Sequence, residues 1–309
     1  MEKEQKVTRR GLPILSITIA LATVVGLLTG GYPRYTNEIS TISLLVAMTF
    51  SFSSISFRNL VTKDSLKVGL YSIVLNYGLL SGIILMISFL FDGGLRYGFV
   101  VMAAVPTAVM VMPLTAILKG KMEYVLVSTS MIYILSAFLT PSMIYILLGR
   151  EVAIANIIYT TFILILLPLL ASRIIRKIHL SDKLSDAVIN ICFFVLILGI
   201  VGKNRDFLFY NQLTVVVVTL MNILRTFGPG IGITWLGKIR CVSREKLIPL
   251  SLFASFKNDG LAILLCLSLF PENVAYIATI PCIIAVIVEM CWASCLEIGF
   301  TMEERQKKL

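Results

Sequence analysis

Residues 247–270 read LIPLSLFASFKNDGLAILLCLSLF, an apolar stretch interrupted at its centre by Lys-Asn-Asp-Gly at positions 257–260. At 1.5 Å per helical residue, a segment of this length spans the roughly 30 Å hydrocarbon core of a bilayer. A charged side chain at the membrane centre costs roughly 2.5–3.5 kcal/mol and is tolerated where it faces protein or water. The stretch therefore predicts a broken membrane helix whose centre opens onto a polar cavity.

The whole chain has the composition of a membrane protein. Of its 309 residues 58% are hydrophobic and 14% charged, so a soluble fold could not keep its apolar surface from water. No soluble domain fits, and we predict one all-α membrane domain, 1–309, that keeps its first apolar segment as a helix rather than losing it as a signal peptide. The ten segments of span length are 12–29, 39–57, 68–91, 95–118, 122–148, 152–172, 184–202, 207–236, 247–270 and 273–300.

Lysine and arginine accumulate on the cytoplasmic side of membrane proteins. Of the 27 here, two lie inside the predicted spans, twenty lie on the side of both termini, and five lie on the other side. This bias predicts ten spans in the plasma membrane with both termini cytoplasmic. Because the basic residues are scattered singly, the net charge of +10 does not indicate a nucleic-acid surface. The five residues on the other side are Arg34, Arg96, Arg150, Lys203 and Arg205.

Ten spans divide into two sets of five, and an odd number of spans per half inverts the second half relative to the first. We therefore predict inverted repeats over 12–148 and 152–300. In the fourth span, Pro106 and Pro113 each remove a backbone donor and clash with the preceding turn, so the helix should kink or unwind there. Breaks at matching places of two halves indicate a transporter binding site, although a harmless kink remains the alternative for the two prolines.

At these residues the chain resembles the bile acid:sodium symporter family, in the wider group that includes arsenite and riboflavin transporters. Pro106, Lys119-Gly120 and Thr140-Pro141 look like Pro-Gly-Gly, Arg-Gly and Thr-Pro landmarks of bacterial members, and residues 258–262 look like their Asn-Ser-Gly-Leu-Ala. The resemblance implies a secondary active carrier for a small organic anion. It also implies that helices four and nine cross near the midplane, and that the core rocks against a panel of spans one, two, six and seven.

The departures from the family concern sodium. Its fourth-helix Ser-Asn pair falls on Val111 and Met112, and its ninth-helix glutamate falls on Phe253. Three oxygen ligands are therefore replaced by apolar side chains, and the resemblance implies that the first sodium site is absent.

At the second sodium site the family's glutamine falls on Lys257. Asn76, in the third span, falls where the family has a sodium-binding glutamine, and Thr129, in the fifth span, falls on another sodium-ligand position. We expect the Lys257 ammonium to stand in for sodium, surrounded by Asp259, Asn76 and backbone carbonyls. The alternatives for Lys257 and Asp259 are a proton-coupling pair and a permanent structural ion pair. Thr129 either binds an ion or bonds to its own backbone.

Two more ionisable residues lie within predicted spans. Arg225 either faces the cavity and attracts an anion, snorkels to the cytoplasmic end, or pairs with Glu289. Glu289 is expected to pair with Arg225 or Lys257 rather than to relay protons. Thr107 stands where arsenite permeases have a cysteine, which disfavours a thiophilic metalloid as substrate.

The sequence gives less support to other classes of protein. No His-Glu-x-x-His, serine–lysine or paired-aspartate motif appears, so we expect no enzyme, no catalytic residue and no cofactor. The six cysteines lack Cys-x-x-Cys spacing, which argues against a metal site. A channel and a non-transporting ligand sensor remain alternatives, and the sequence leaves the substrate and the oligomeric state open.

Overall fold

The computed structural model describes residues 11–32, 34–53, 62–149, 152–178 and 181–306, and these are almost entirely helical, with no strand among them. Residues 54–57 of the second predicted span, and Arg150 of the charge count, lie outside the described residues. The helices are α1 Gly11–Thr29, α2 Thr36–Ser53, α3 Lys63–Ser88, α4 Gly93–Ala104, α5 Val111–Ile117, α6 Met122–Leu148, α7 Ile154–Lys177, α8 Asp182–Lys203, α9 Arg205–Tyr210, α10 Gln212–Ile239, α11 Arg244–Phe253, α12 Asp259–Leu269 and α13 Glu272–Gln306.

Six of these helices are long and apolar enough to cross a membrane: α3, α6, α7, α8, α10 and α13. The prediction of an all-helical protein with several membrane spans is therefore confirmed. That ten segments cross the bilayer, and that the two halves are inverted, remain predictions.

Two predicted spans each consist of two short helices with an unwound stretch between them. The first break, residues 105–110, separates α4 from α5 and contains Pro106. A proline pushes the preceding residue out of the helical region, and Val105 is extended, with φ −74° and ψ 155°. The expectation for Pro113 was wrong, because Pro113 lies in the first turn of α5, where its missing N–H breaks no helical bond.

The second break, residues 254–258, separates α11 from α12 and contains no proline. The Asp259 amide donates to the Lys257 carbonyl oxygen (2.9 Å), which closes a tight turn. Asn258 caps α12, since its side-chain oxygen accepts from the Leu261 amide (3.1 Å). The helix is therefore interrupted by local polar bonds rather than by a missing donor.

Helix α12 runs through the interior of the protein. All of its residues are buried except Ser268, and it packs against α13, α4, α7 and α2. Helix α8 packs against α1 and α2, and α7 packs against α2, α6 and α12. Helix α13 packs against α4, α10 and α12. The polar residues before and at the start of α12 consequently face protein rather than lipid.

Candidate functional site

The two unwound segments bond directly to each other. The Asn258 amide donates to the Pro106 carbonyl oxygen (2.7 Å), and the Thr107 hydroxyl donates to the Phe256 carbonyl oxygen (3.3 Å). Unwinding releases carbonyl and amide groups that must find partners away from water. Each break therefore supplies partners to the other.

Tyr133 of α6 joins the two breaks from the side. Its hydroxyl donates to the Thr107 carbonyl oxygen (2.9 Å) and accepts from the Asn258 side-chain amide (2.9 Å). The sequence reasoning missed Tyr133. A signal existed, because it is the twelfth residue of a 27-residue helix, far from the interfaces where membrane tyrosines usually lie.

The Lys257 ammonium lies inside a cage of oxygen atoms. An ammonium has three donors, so four acceptors within hydrogen-bond distance exceed what it requires. The face of the Tyr77 ring closes the cage, 4.6 Å from Nζ to the ring centroid. Protein groups therefore surround the ammonium on every side that these contacts describe. The four acceptors of Lys257 Nζ are Asn76 Oδ1 (3.1 Å), Ser81 Oγ (2.9 Å), the Ala103 carbonyl (3.1 Å) and the Val105 carbonyl (2.8 Å).

Asn76 belongs to both the cage and the second break. It lies in a π-helical stretch of α3, Val74–Leu80, a local widening that is frequent at functional sites. Its amide nitrogen donates to the carbonyl oxygens of Phe253 and Phe256, both at 3.1 Å. Asn76 and backbone carbonyls surround Lys257 as the sequence suggested, whereas Ser81 and the π-helical stretch were not foreseen.

The expected partnership of Lys257 with Asp259 was wrong. Within the described residues the two side chains form no ion pair, because Lys257 reaches towards α3 and α4 while Asp259, at the start of α12, reaches towards α10. Asp259 Oδ2 instead accepts from Arg225 Nη2 at 3.0 Å. These two residues therefore do not form the structural ion pair that the sequence suggested, and the proton-coupling pair stays a prediction.

Arg225 is completely buried and holds two carboxylates. Besides Asp259, its Nη1 donates to Glu289 Oε1 (2.7 Å) and its Nε donates to Asn222 Oδ1 (3.1 Å). Among the alternatives predicted for Arg225, the structure shows the ion pair with Glu289, and the side chain does not snorkel to the cytoplasmic end. Glu289 Oε1 also accepts from the Lys257 backbone amide (3.0 Å), so the carboxylate fixes the second break.

The residues at the positions of the family's sodium ligands are poorly suited to bind sodium. Val111, Met112 and Phe253 are buried and apolar, so they offer no side-chain oxygen. The second position holds the Lys257 nitrogen. The Thr129 hydroxyl is buried without a hydrogen-bond partner in the described part of the chain, so the expected bond to its own backbone is not made. Thr107, buried and bound to Phe256, offers no thiolate for a metalloid.

A multi-pass helical membrane protein with two broken helices that meet around buried charges has the architecture of a membrane transporter. The sequence profile of the Sodium Bile acid symporter family matches residues 38–204, more than half of the chain, and the protein belongs to this family. The family resemblance suggested by short motifs is thus confirmed, and a transporter family fits the expectation that the chain is not an enzyme. No curated protein matches the chain. The profile match includes the first break and ends before Arg225, Lys257, Asp259 and Glu289.

Proposed function

We propose that the protein carries a small organic anion across the membrane by alternating access and that it does so without sodium. The observation that carries this proposal is the meeting of the two broken helices, where Asn258 and Pro106 join two segments of freed backbone. Such paired breaks, one in each half of the chain, are the usual place of substrate and ion binding in carriers.

The family resemblance suggests which parts move. We propose that α1, α2, α7 and α8 form a panel, which is supported by the packing of α8 on α1 and α2 and of α2 on α7, and that the remaining helices form a core around the two breaks. We propose that the chain crosses the plasma membrane ten times, with both termini in the cytoplasm. We also propose that the half 152–300 is inverted relative to the half 12–148. The boundary that opens and closes then lies where α12 meets α2 and α7.

The class of substrate is proposed from the family, whose name refers to bile acids, which are organic anions. Arg225 does not itself argue for an anion, because two carboxylates already occupy its guanidinium. The specific anion and the oligomeric state are left open by this proposal.

Independence from sodium is supported by Lys257. Its ammonium is a cation attached to the chain, and it lies within hydrogen-bond distance of four oxygen atoms that could otherwise ligate an ion. An ammonium held in this position completes the site without an ion from solution. The residues that stand at the first sodium site are apolar and add no competing ligand.

Uptake into proteoliposomes tests the carrier and its ion requirement. A thermal-shift screen of purified protein against bile acids and small carboxylates selects the probe, and counterflow of the labelled probe then measures exchange. We expect the same saturable counterflow in sodium and in choline buffers. Strict dependence on sodium would overturn the sodium-free part of the proposal, and binding without any flux would favour a ligand sensor.

Substituting Lys257 by glutamine tests the cage directly. Lys257→Gln removes the tethered cation and leaves the oxygen atoms, so sodium from solution should occupy the space. Sodium at ten times its Kd would stabilise the variant by about 1.4 kcal/mol. We expect the melting temperature of Lys257→Gln to be higher in sodium than in choline. The natural protein and the exposed control Lys67→Gln should melt at the same temperature in both salts. Equal responses in all three proteins would contradict the tethered-cation hypothesis.

A further inference from the structure

One carboxylate oxygen at the centre of the site has no partner. Asp259 is 2% exposed, and its Oδ1 accepts no hydrogen bond in the described part of the protein, although Oδ2 binds Arg225. An ionised carboxylate is an acceptor only, and leaving one of its oxygens dry and unpaired is costly. A protonated carboxylic acid can also donate, because the oxygen that carries the proton becomes a hydrogen-bond donor.

The charge around Asp259 also favours a proton. Arg225 is the one cation in direct contact with Asp259 and Glu289 among the described residues, so a single guanidinium serves two carboxylates. The two carboxylates repel each other across this shared guanidinium. Two neighbouring carboxyl groups in a low-dielectric interior commonly share one proton.

The other ionisable groups that act on Asp259 are Lys257 and Cys282. The Lys257 ammonium is directed to its own cage of oxygen atoms and forms no ion pair with either carboxylate. Cys282 of α13 is a buried thiol close to Cys266 of α12, and it supplies no positive charge. Neither group therefore provides the missing hydrogen-bond donor for Asp259 Oδ1.

We propose that Asp259 and Glu289 share one transported proton, with Asp259 Oδ1 as the atom that binds it, so that the carrier is driven by a proton gradient. This inference rests on the proposed carrier function. The step is a simple protonation: H⁺ from the water on one side adds to the carboxylate to give a neutral carboxylic acid, and it leaves to the other side. No electron is transferred. A metal cation suits the site less well, because hard cations require several oxygen ligands and one oxygen here is free.

The position of Asp259 suggests how the proton acts. Asp259 is the first residue of α12 and adjoins Asn258, whose amide joins the two breaks. When Asp259 is neutral, its ion pair with Arg225 is weakened, and α12 is held less firmly to α10. Proton binding would thereby change the helix that lies against α2 and α7, the boundary that is proposed to open.

Infrared difference spectroscopy of the purified protein tests proton binding without any substrate. Cycling the pH should produce the carbonyl stretching band of a protonated carboxylic acid, with a downshift in deuterium oxide. We expect this band to disappear in Asp259→Asn, which has the shape of the protonated side chain, and to remain in the exposed control Asp92→Asn. A band that persists unchanged in Asp259→Asn, or no band in the natural protein, overturns the proposal.

A second variant serves if Asp259→Asn does not fold. Glu289→Gln removes the neighbouring negative charge, so the band of Asp259 should titrate at a lower pH than in the natural protein. The same titration midpoint in both proteins would show that the two carboxyl groups do not share the proton, and would overturn the proposal.

Flux measurements separate this inference from the proposed function. In proteoliposomes, an inward proton gradient should raise uptake of the labelled probe anion several-fold in the natural protein, and the ratio of uptake with and without the gradient should fall to one in Asp259→Asn. Counterflow that is unaffected by the gradient in the natural protein would refute proton coupling and leave the carrier intact. Absence of counterflow would instead refute the carrier, whatever the infrared spectra show.

Discussion

At the scale of single residues, the site depends on side chains that satisfy the groups released by the two breaks. Lys257 binds the carbonyl oxygens of Ala103 and Val105, and Asn76 binds those of Phe253 and Phe256. Lys257, from the second break, thus binds carbonyl oxygens at the first break, and Asn76 of α3 binds carbonyl oxygens at the second. Removing one of them therefore leaves buried polar groups unpaired on two elements at once.

Tyr133 allows a direct measurement of this effect. Tyr133→Phe deletes the hydroxyl that bridges the Thr107 carbonyl and the Asn258 amide. We expect the free energy of unfolding to fall by about 1–3 kcal/mol, because both groups stay buried without this partner. Denaturant unfolding in detergent measures the change. Tyr145→Phe, on the same helix but 48% exposed, is the control, and an equal loss in both variants would show that the bridge contributes nothing.

The residues of the site were more predictable than their partners. Lys257 and Asn76 come together as expected, since an intramembrane cation must find oxygen atoms near the midplane. The partner of Asp259 could not be predicted from its closeness in sequence to Lys257. In an unwound segment, two residues that are two positions apart can direct their side chains to different helices. Arg225 lies 34 residues before Asp259, and no local rule links the two.

At the scale of elements, the two breaks show what a sequence pattern can and cannot indicate. Pro106 ends α4 as its chemistry requires, and its neighbour Val105 is extended. Pro113 has the same chemistry but begins a helix, because its position within the first turn of α5 decides its effect. The second break was predicted from Lys-Asn-Asp-Gly at 257–260, whereas the π-helical stretch of α3 has no such marker, and periodicity alone could not locate it.

The interior helices approach each other so closely that only glycine fits at some contacts. A Cβ atom at Gly98 of α4 would overlap the Ala278 carbonyl oxygen of α13, whereas one at Gly232 of α10 would meet nothing within 4 Å. We expect Gly98→Ala to destabilise the protein by about 1–3 kcal/mol through overpacking. Gly232→Ala should be neutral or stabilising, by up to about 1 kcal/mol, through helix propensity. Melting temperatures of the two purified variants check this, and equal values would contradict the close approach of α4 and α13.

At the scale of the whole molecule, polar contacts join the panel to the core on the side opposite the predicted cytoplasmic face. The Tyr276 hydroxyl of α13 donates to Asn37 Oδ1 of α2 (2.9 Å), and the Asn204 amide after α8 donates to Thr279 Oγ1 of α13 (3.1 Å). Lys203 lies over the Tyr276 ring at 5.5 Å. Asn37, Lys203 and Tyr276 border a cavity of about 220 Å³, whose other lining residues are Arg34, Tyr35, Thr36, Glu38 and Glu272.

These bonds must break if the panel and the core separate on that side, which makes Tyr276 a test of the moving boundary. Tyr276→Phe keeps the ring beneath Lys203 and removes the hydroxyl that donates to Asn37. A hydrogen bond of about 1 kcal/mol corresponds to a roughly fivefold change in an opening equilibrium. We therefore expect backbone hydrogen exchange at the starts of α2 and α13 to rise by about fivefold. Tyr35→Phe, at the same cavity but 70% exposed, should leave exchange unchanged. If both variants exchange alike, the Asn37–Tyr276 bond does not hold this side closed, and the boundary between the two groups of helices must be sought elsewhere.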